Sequence, residues 1–296
     1  MKKFIIYIIL AFSLYIILLE VTTRVFDLSE QTVPEANLNN NMLLKPNTEG
    51  VWVKGGMREI ASHYKINNQG FNSLKDYTVL DSNKINIAII GDSFIEGFHT
   101  DVENSIGRLI EADTRDEIEV HEYGKSGGNI VDFSLIFKQW IKNRYDYTFI
   151  LISDRDLDAY DAFFMEKGNK IPKNSIIRKI YNHLSSIRYI NINHGLHIKL
   201  KEIFSCYRCS KNNQNTNITQ YVNSTALQEF DKSCVFIYEK DKLSPDIIAT
   251  SIKLPCLEII HQNKPHTYGF DSHWNLNGRK NCAWVIEHYI KHNIVH

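Results

Sequence analysis

The sequence predicts an α/β fold: a doubly wound parallel sheet flanked by helices, with an inserted helical or irregular cap and an N-terminal transmembrane helix. Three observations carry this. Short apolar runs rich in β-branched residues recur from residue 85 onward. Segments with helical periodicity lie between them, and strands alternating with helices build parallel sheets. Ahead of both stands a long run without a single charge.

That run comes first in the chain. Lys2-Lys3 precedes Phe4–Leu19, FIIYIILAFSLYIILL. A span needs roughly 17–25 residues, and Val21 with the stem of Glu20 extends the run into that range. The following Glu20-Val21-Thr22-Thr23-Arg24-Val25-Phe26 offers no A-x-A cleavage pattern. The expectation is an uncleaved signal anchor over residues 1–26. The Lys pair keeps the N-terminus cytoplasmic by the positive-inside rule, so the body is expected outside the cytoplasm, which is the periplasm if the cell is Gram-negative.

Residues 27–84 are polar and Asn-rich, with Pro34 and Pro46, and read as a tether and extension. The catalytic domain is expected over 85–296. Ile85–Gly91, INIAIIG, suits a strand buried on both faces. Ile118–Tyr123, Tyr147–Ser153, Cys234–Tyr238 and Cys256–Ile260 are the further strand candidates. Helices are expected over Asn104–Thr114, Asn129–Arg144 and Asn277–His292. The second places Ile130, Phe133, Phe137, Trp140 and Ile141 on one face, and the third places Ala283, Ile286 and Ile290 likewise. Right-handed crossovers make the sheet doubly wound. The stretch from about 160 to 254 breaks the alternation. It holds an Ile-rich helical region (Ile176 to Ile203), Cys206-Tyr-Arg-Cys209 and the polar run Ser210–Gln220, and reads as an insertion with one strand near its end.

Composition excludes several classes. The chain has 296 residues, 34 Lys+Arg against 34 Asp+Glu, and is 43% hydrophobic. That balance argues against a nucleic-acid partner, which needs clustered cations. Five Cys are too few for a disulfide scaffold, and Cys206/Cys209 read as a local disulfide. Cys234 and Cys256 read as buried thiols. Asn217-Ile-Thr219 and Asn223-Ser-Thr225 are formal glycosylation sequons, but nothing else points to a eukaryotic secretory pathway.

The chemistry gathers at strand ends, where open α/β sheets bind ligands. Gly91-Asp92-Ser93 ends the first strand. It is not a G-x-S-x-G elbow, since Ile95 stands two after Ser93. A Ser hydroxyl needs a base, and a carboxylate on the base's other ring nitrogen fixes its tautomer. Asp271-Ser272-His273-Trp274-Asn275 supplies both groups two residues apart, so an extended loop can point them the same way. Tyr123-Gly124-Lys125-Ser126-Gly127-Gly128-Asn129 follows the second strand, where a Gly lets a backbone N–H approach an oxyanion. Each block alone also reads as an ordinary capped turn; the combination points to acyl chemistry.

Gly91-Asp92-Ser93, the Gly124/Gly127 loop and Asp271-x-His273-x-Asn275-x-x-Gly278 resemble the SGNH (GDSL) hydrolase superfamily. Ile66-Asn67-Asn68-Gln69-Gly70-Phe71 resembles a stretch preceding the first block in membrane-anchored bacterial members. The Asp-x-His-Trp form resembles the alginate O-acetyltransferase branch. The likeness spans about 64–160 and 255–292. It implies a flavodoxin-like sheet, Ser93 as nucleophile, His273 and Asp271 completing the triad, and backbone N–H groups of Ser93 and Gly127 in an oxyanion hole. The family's Gly-x-Asn-Asp block has no counterpart Asn here: Ile152-Ser153-Asp154-Arg155-Asp156-Leu157-Asp158 stands in its place. Arg155 or Ser153 is the candidate third donor.

No cofactor is expected. Asp154, Asp156 and Asp158 alternate like a calcium loop, but Ala159 and Met165 replace the required Gly and Glu, so no metal site is expected. His63, His99, His183, His194 and His261 read as surface or packing residues, and His266 as a spare beside the triad loop. The resulting expectation is an extracytoplasmic serine ester hydrolase or O-acyltransferase acting on acyl esters, foremost acetyl, of cell-envelope carbohydrate. Its partners would be an acylated carbohydrate or small ester, a membrane acyl donor, and the membrane itself. The competing reading is a catalytically weak glycan-binding or assembly protein that keeps the fold.

Overall fold

The computed structural model describes residues 2–29, 33–38, 41–115, 117–157, 181, 183–194, 224–262 and 264–293. Two compact units emerge: 1–32 with 51–61 and 169–217, and 33–50 with 62–168 and 218–296. Cys206, Cys209, both Asn sequon residues, Asp158 and most of the Ile-rich region lie outside the described residues.

The first unit is built on α1 (Lys2–Val25), a 24-residue helix. At 1.5 Å per residue it is about 36 Å long, enough to cross a bilayer. Its apolar side chains are exposed along the length, Phe4 to Leu18. A short helix, Ser185–His194, lies in the same unit. Glu20 accepts the backbone N–H groups of Ser185 (3.1 Å) and Ser186 (2.9 Å). A carboxylate there satisfies the orphan donors of a helix start.

The second unit holds the sheet. Its strands are β5 (Ile85–Gly91), β6 (Ile118–Gly124), β7 (Tyr147–Leu151), β8 (Cys234–Glu239) and β9 (Cys256–Ile259), following β1 (Glu35–Leu38), β2 (Asn41–Leu44), β3 (Glu49–Lys54) and β4 (Ile60–Lys65) in the chain. The five strands pair in parallel in the order β6-β5-β7-β8-β9. That is the 2-1-3-4-5 order of a flavodoxin-like sheet, as the resemblance implies.

Alternate residues of β5 feed two cores. Ile87 and Ile89 pack with Ile106 and Ile110 of the helix Ile106–Asp113 and with Ala283, Ile286 and Ile290 of the C-terminal helix Leu276–Asn293. Ala88 and Ile90 pack with Ile130, Phe133 and Ile136 of the helix Ile130–Ile136. Each fully buried Ile or Phe contributes about 1.5–3 kcal/mol of burial free energy, which is why the sheet is covered on both faces.

The local differences from expectation have local causes. Ser105, not Asn104, caps the helix Ile106–Asp113, after a separate 3-10 turn at Val102–Asn104. Asn129 does cap its helix, in a reciprocal box with Asp132, but the helix widens into a π-type turn at Phe137–Ile141. The extension 27–84 is more regular than its polar composition suggests: β1 pairs with β2 and β3 with β4. Strand β4 alternates buried and exposed residues, and its exposed half hides it in a polar sequence. Cys234 is a free, buried thiol whose pKa burial pushes up to about 12; Cys256 is free and half-buried.

Candidate active site

Gly91 closes β5. A Cβ there would lie 2.4 Å from Ile95 Cγ1, so only Gly lets the chain turn straight into the helix Ser93–Glu96. Asp92 caps that helix, accepting the Phe94 N–H at 3.0 Å. Gly97 ends it at φ +73°. Ser93 thus stands at the first position of a helix, at the carboxyl end of the strand beside the switch point between β5 and β7.

His273 comes from the loop after β9. Its Nε2 lies 2.8 Å from Ser93 Oγ. Its Nδ1 lies 2.6 Å from Asp271 Oδ1, and the same oxygen accepts the His273 backbone N–H at 2.8 Å. The loop is braced: Thr267 bridges Trp274, and Asn275 Nδ2 donates to the carbonyls of Pro265 and Thr267. Ser93, His273 and Asp271 therefore form one hydrogen-bonded chain. Asp271 is almost buried and His273 partly open, which suits an orienting carboxylate behind an accessible imidazole.

The segment after β6 stands next to this chain, because Gly91 and Gly124 are paired in register. Lys125 N–H donates to Gly91 O at 2.9 Å. A Cβ on Gly124 would sit 2.0 Å from Glu96 N, so the segment lies flush on the helix Ser93–Glu96. Gly127 has φ +67° with open space beside it. Neither a Ser93 nor a Gly127 N–H is bonded to an acceptor among the described residues.

The third block behaves differently from its neighbours. Ser153 spends both its donors, N–H and Oγ–H, on Asp156 Oδ2, each at 2.8 Å. Arg155 is exposed, and its charge acts on Asp92 and Asp156. Burial and the Asp92 charge push Asp156 up to about 6. Burial likewise raises Asp92. Asp154 Oδ1 accepts the Ser244 N–H at 2.9 Å.

Two residues beside the triad carried no sequence signal of their own. His99, read as a packing residue, stacks on His273 with centroids 3.8 Å apart and 10° between planes. Its Nε2 is 3.6 Å from Asp271 Oδ1. Glu96 is buried within the Ser93 helix. Only tertiary proximity reveals either.

His266 does not join the triad. It stacks on His261 at 3.7 Å, 5° between planes, and burial followed by His261 holds its pKa down. His261 Nε2 meets Glu239 Oε1 at 2.6 Å, and Trp274 Nε1 donates to the same oxygen at 2.5 Å. Donor atoms of Glu239, His261 and His266 fall within 4.8 Å of one another, as do those of His99, Asp271 and His273. In both groups the two imidazole planes are nearly parallel, 10° apart for His99 and His273 and 5° for His261 and His266.

No protein-family model matches the chain, and no curated protein matches it. Solved structures similar to it include a lipase/acylhydrolase from Enterococcus faecalis, at 13% identity and TM-score 0.38, covering 70% of this chain and 95% of that one. A carbohydrate acetylesterase family member from Sinorhizobium meliloti stands at 8% identity and TM-score 0.36, covering 70% and 97%. A member of the lipolytic protein G-D-S-L family from Veillonella parvula DSM 2008 stands at 11% and 0.32, covering 71% and 98%.

Proposed function

We propose that the chain is a serine ester hydrolase or O-acyltransferase of the SGNH (GDSL) type, anchored by α1, that acts outside the cytoplasm on acyl esters, foremost acetyl, of cell-envelope carbohydrate. The observation that carries the reading is the hydrogen-bonded chain Ser93 Oγ, His273, Asp271. His273 Nε2 takes the Ser93 proton as Oγ attacks the ester carbonyl, while Asp271 holds the proton on Nδ1. The Ser93 and Gly127 N–H groups receive the oxyanion. The imidazolium then protonates the departing alcohol. Water or an acceptor hydroxyl resolves the acyl-enzyme, with His273 again as base; hydrolysis and transfer differ only there.

Beside Asp271 lies a pocket of about 320 Å³, lined among others by Glu239, Lys242, His266 and Phe270. Polar groups around one exposed ring suit a sugar better than an acyl chain. The direct test is a fluorophosphonate probe with peptide mass spectrometry, alongside hydrolysis of an aryl acetate. An adduct on Ser93 and its loss in H273A support the reading; labelling confined to other residues overturns it.

Arg155 is our third oxyanion donor, because both Ser153 donors are engaged with Asp156. Arg155→Ala is expected to lower kcat by up to roughly 100-fold with KM nearly unchanged, since the contact strengthens only in the transition state. A wild-type kcat in that variant makes Arg155 a partner of Asp92 and Asp156 only. The weak glycan-binding reading draws its support from the same engagement of Ser153: with a poor third donor, binding would outlast turnover.

Topology is tested separately. With Lys2 and Lys3 inside, protease added to intact spheroplasts is expected to remove the body of the chain. Full protection of the body would place it in the cytoplasm and end the envelope assignment.

A further inference from the structure

Between the nucleophile's helix and the segment carrying Gly127, one side chain makes the connection. Glu96 is the last residue of the helix Ser93–Glu96 and is 6% exposed. Its Oε1 accepts the Ser126 backbone N–H at 3.3 Å, and its Oε2 accepts the Ser126 hydroxyl. Ser126 immediately precedes Gly127. On the other side the Glu96 carbonyl accepts Asn72 Nδ2 at 2.9 Å, and its N–H donates to Asp92 O at 3.0 Å. Glu96 is therefore fixed at both ends of its backbone while its side chain grips the neighbouring segment. A Cβ on Gly127 would meet nothing within 4 Å, and its φ is +67°, so no side chain packs on that face of the residue.

Resting on the serine-hydrolase reading above, we propose that Glu96 is a positioning residue: through Ser126 it sets the height of the Gly127 N–H relative to Ser93, and so the geometry of the oxyanion hole. A donor must lie about 2.7–3.1 Å from the developing oxyanion, and a misplacement of about 1 Å costs on the order of 100-fold in rate. Glu96 touches no reacting atom. It acts through the peptide between Ser126 and Gly127.

Ionisation matters to this grip, because the carboxylate accepts from both Ser126 donors as a charged acceptor, which makes each bond stronger than to a neutral carboxyl. A carboxyl protonated on one oxygen gives up part of that capacity. Burial, with the charges of Asp92 and Glu35, raises the Glu96 pKa to about 7, against the Ser126 hydrogen bonds that lower it. Arg279 packs under Gly97, where an added Cβ would meet its guanidinium, and its charge is shared with buried Glu122. The grip is thus expected to strengthen as pH rises through about 7. Stability runs the other way for this group: a carboxyl raised above its unfolded value stabilises the fold below that value and loses the contribution as pH rises through about 7.

The test compares full-length wild type, E96Q, S126A and the double variant on an aryl acetate, with S93A as reference. E96Q and S126A should each lower kcat roughly 10- to 100-fold with KM within about twofold. The double variant should lose no more than the worse single one, because both cut the same link. The ratio of wild-type to E96Q kcat should grow between about pH 5.5 and 8.5; forming the ratio cancels ionisations the two proteins share. Wild-type kcat in E96Q and S126A, additive losses, or a pH-independent ratio overturn the proposal while S93A stays inactive. If S93A hydrolyses like wild type, it is the serine-hydrolase reading that falls. Should E96Q melt below the assay temperature, S126A alone decides, since that change sits in a segment at the surface of the site.

Discussion

Ser93→Ala is expected to remove aryl acetate hydrolysis, with kcat falling roughly 10⁴- to 10⁶-fold. The hydroxyl it deletes is the only one placed 2.8 Å from His273 Nε2 among the described residues. Ser126 Oγ is committed to Glu96 and Ser153 Oγ to Asp156, so neither is free to replace it. The fold should be unaffected, because Ala is well tolerated at the first position of a helix whose cap is the neighbouring Asp92. A thermal melt within a degree or two of wild type would establish that the loss is chemical. His273→Ala should fall to a similar floor, and the double variant no further, since nucleophile and base act as a unit. Hydrolysis in S93A within tenfold of wild type would falsify the assignment of the nucleophile.

Asp271→Asn is expected to cost roughly 10³- to 10⁴-fold in kcat with little change in KM. Asp271 Oδ1 accepts two bonds, from His273 Nδ1–H and from the His273 backbone N–H. An amide keeps the size but offers an NH2 on one side. If that group faces Nδ1, the ring proton moves to Nε2, and His273 can no longer take the Ser93 proton. The imidazolium also loses its counter-charge. His99 Nε2 stands 3.6 Å from the same oxygen and cannot replace a carboxylate. Kinetics of D271N across the pH range separate the two effects: a misplaced tautomer lowers the plateau, whereas a mere change of basicity shifts the profile and leaves its height. Activity within tenfold of wild type at every pH would reduce Asp271 to a brace of its own loop.

Much of this was legible in the residues because the signals are local. INIAIIG at Ile85–Gly91 is buried at nearly every position, as an alternation-free β-branched run must be when helices cover both faces. Asn129 capped the helix it was expected to cap, since a cap is a contact between residues two and three apart. The strands of the extension were not legible, because half of β1 and half of β4 face solvent and short pairs leave no periodic apolar trace. The helix over 129–144 ended early: the α-helix gives way to a π-type turn at Phe137–Ile141, which the apolar periodicity did not signal.

By itself, then, the sequence determined the alternation of strands and helices, the apolar helix at the N-terminus, and which residue types at strand ends carry acid–base and nucleophilic character. These follow from side-chain chemistry and short-range backbone preference, which act over a few residues. The order of the strands, the meeting of Ser93 with His273 across 180 positions of chain, the loss of Ser153's donors to Asp156, and the grip of Glu96 on Ser126 were decided by the tertiary structure. Each depends on where a crossover sets down a distant segment, and that is fixed by the burial of whole faces and by the register of Gly91 against Gly124, energies no single stretch of the chain contains.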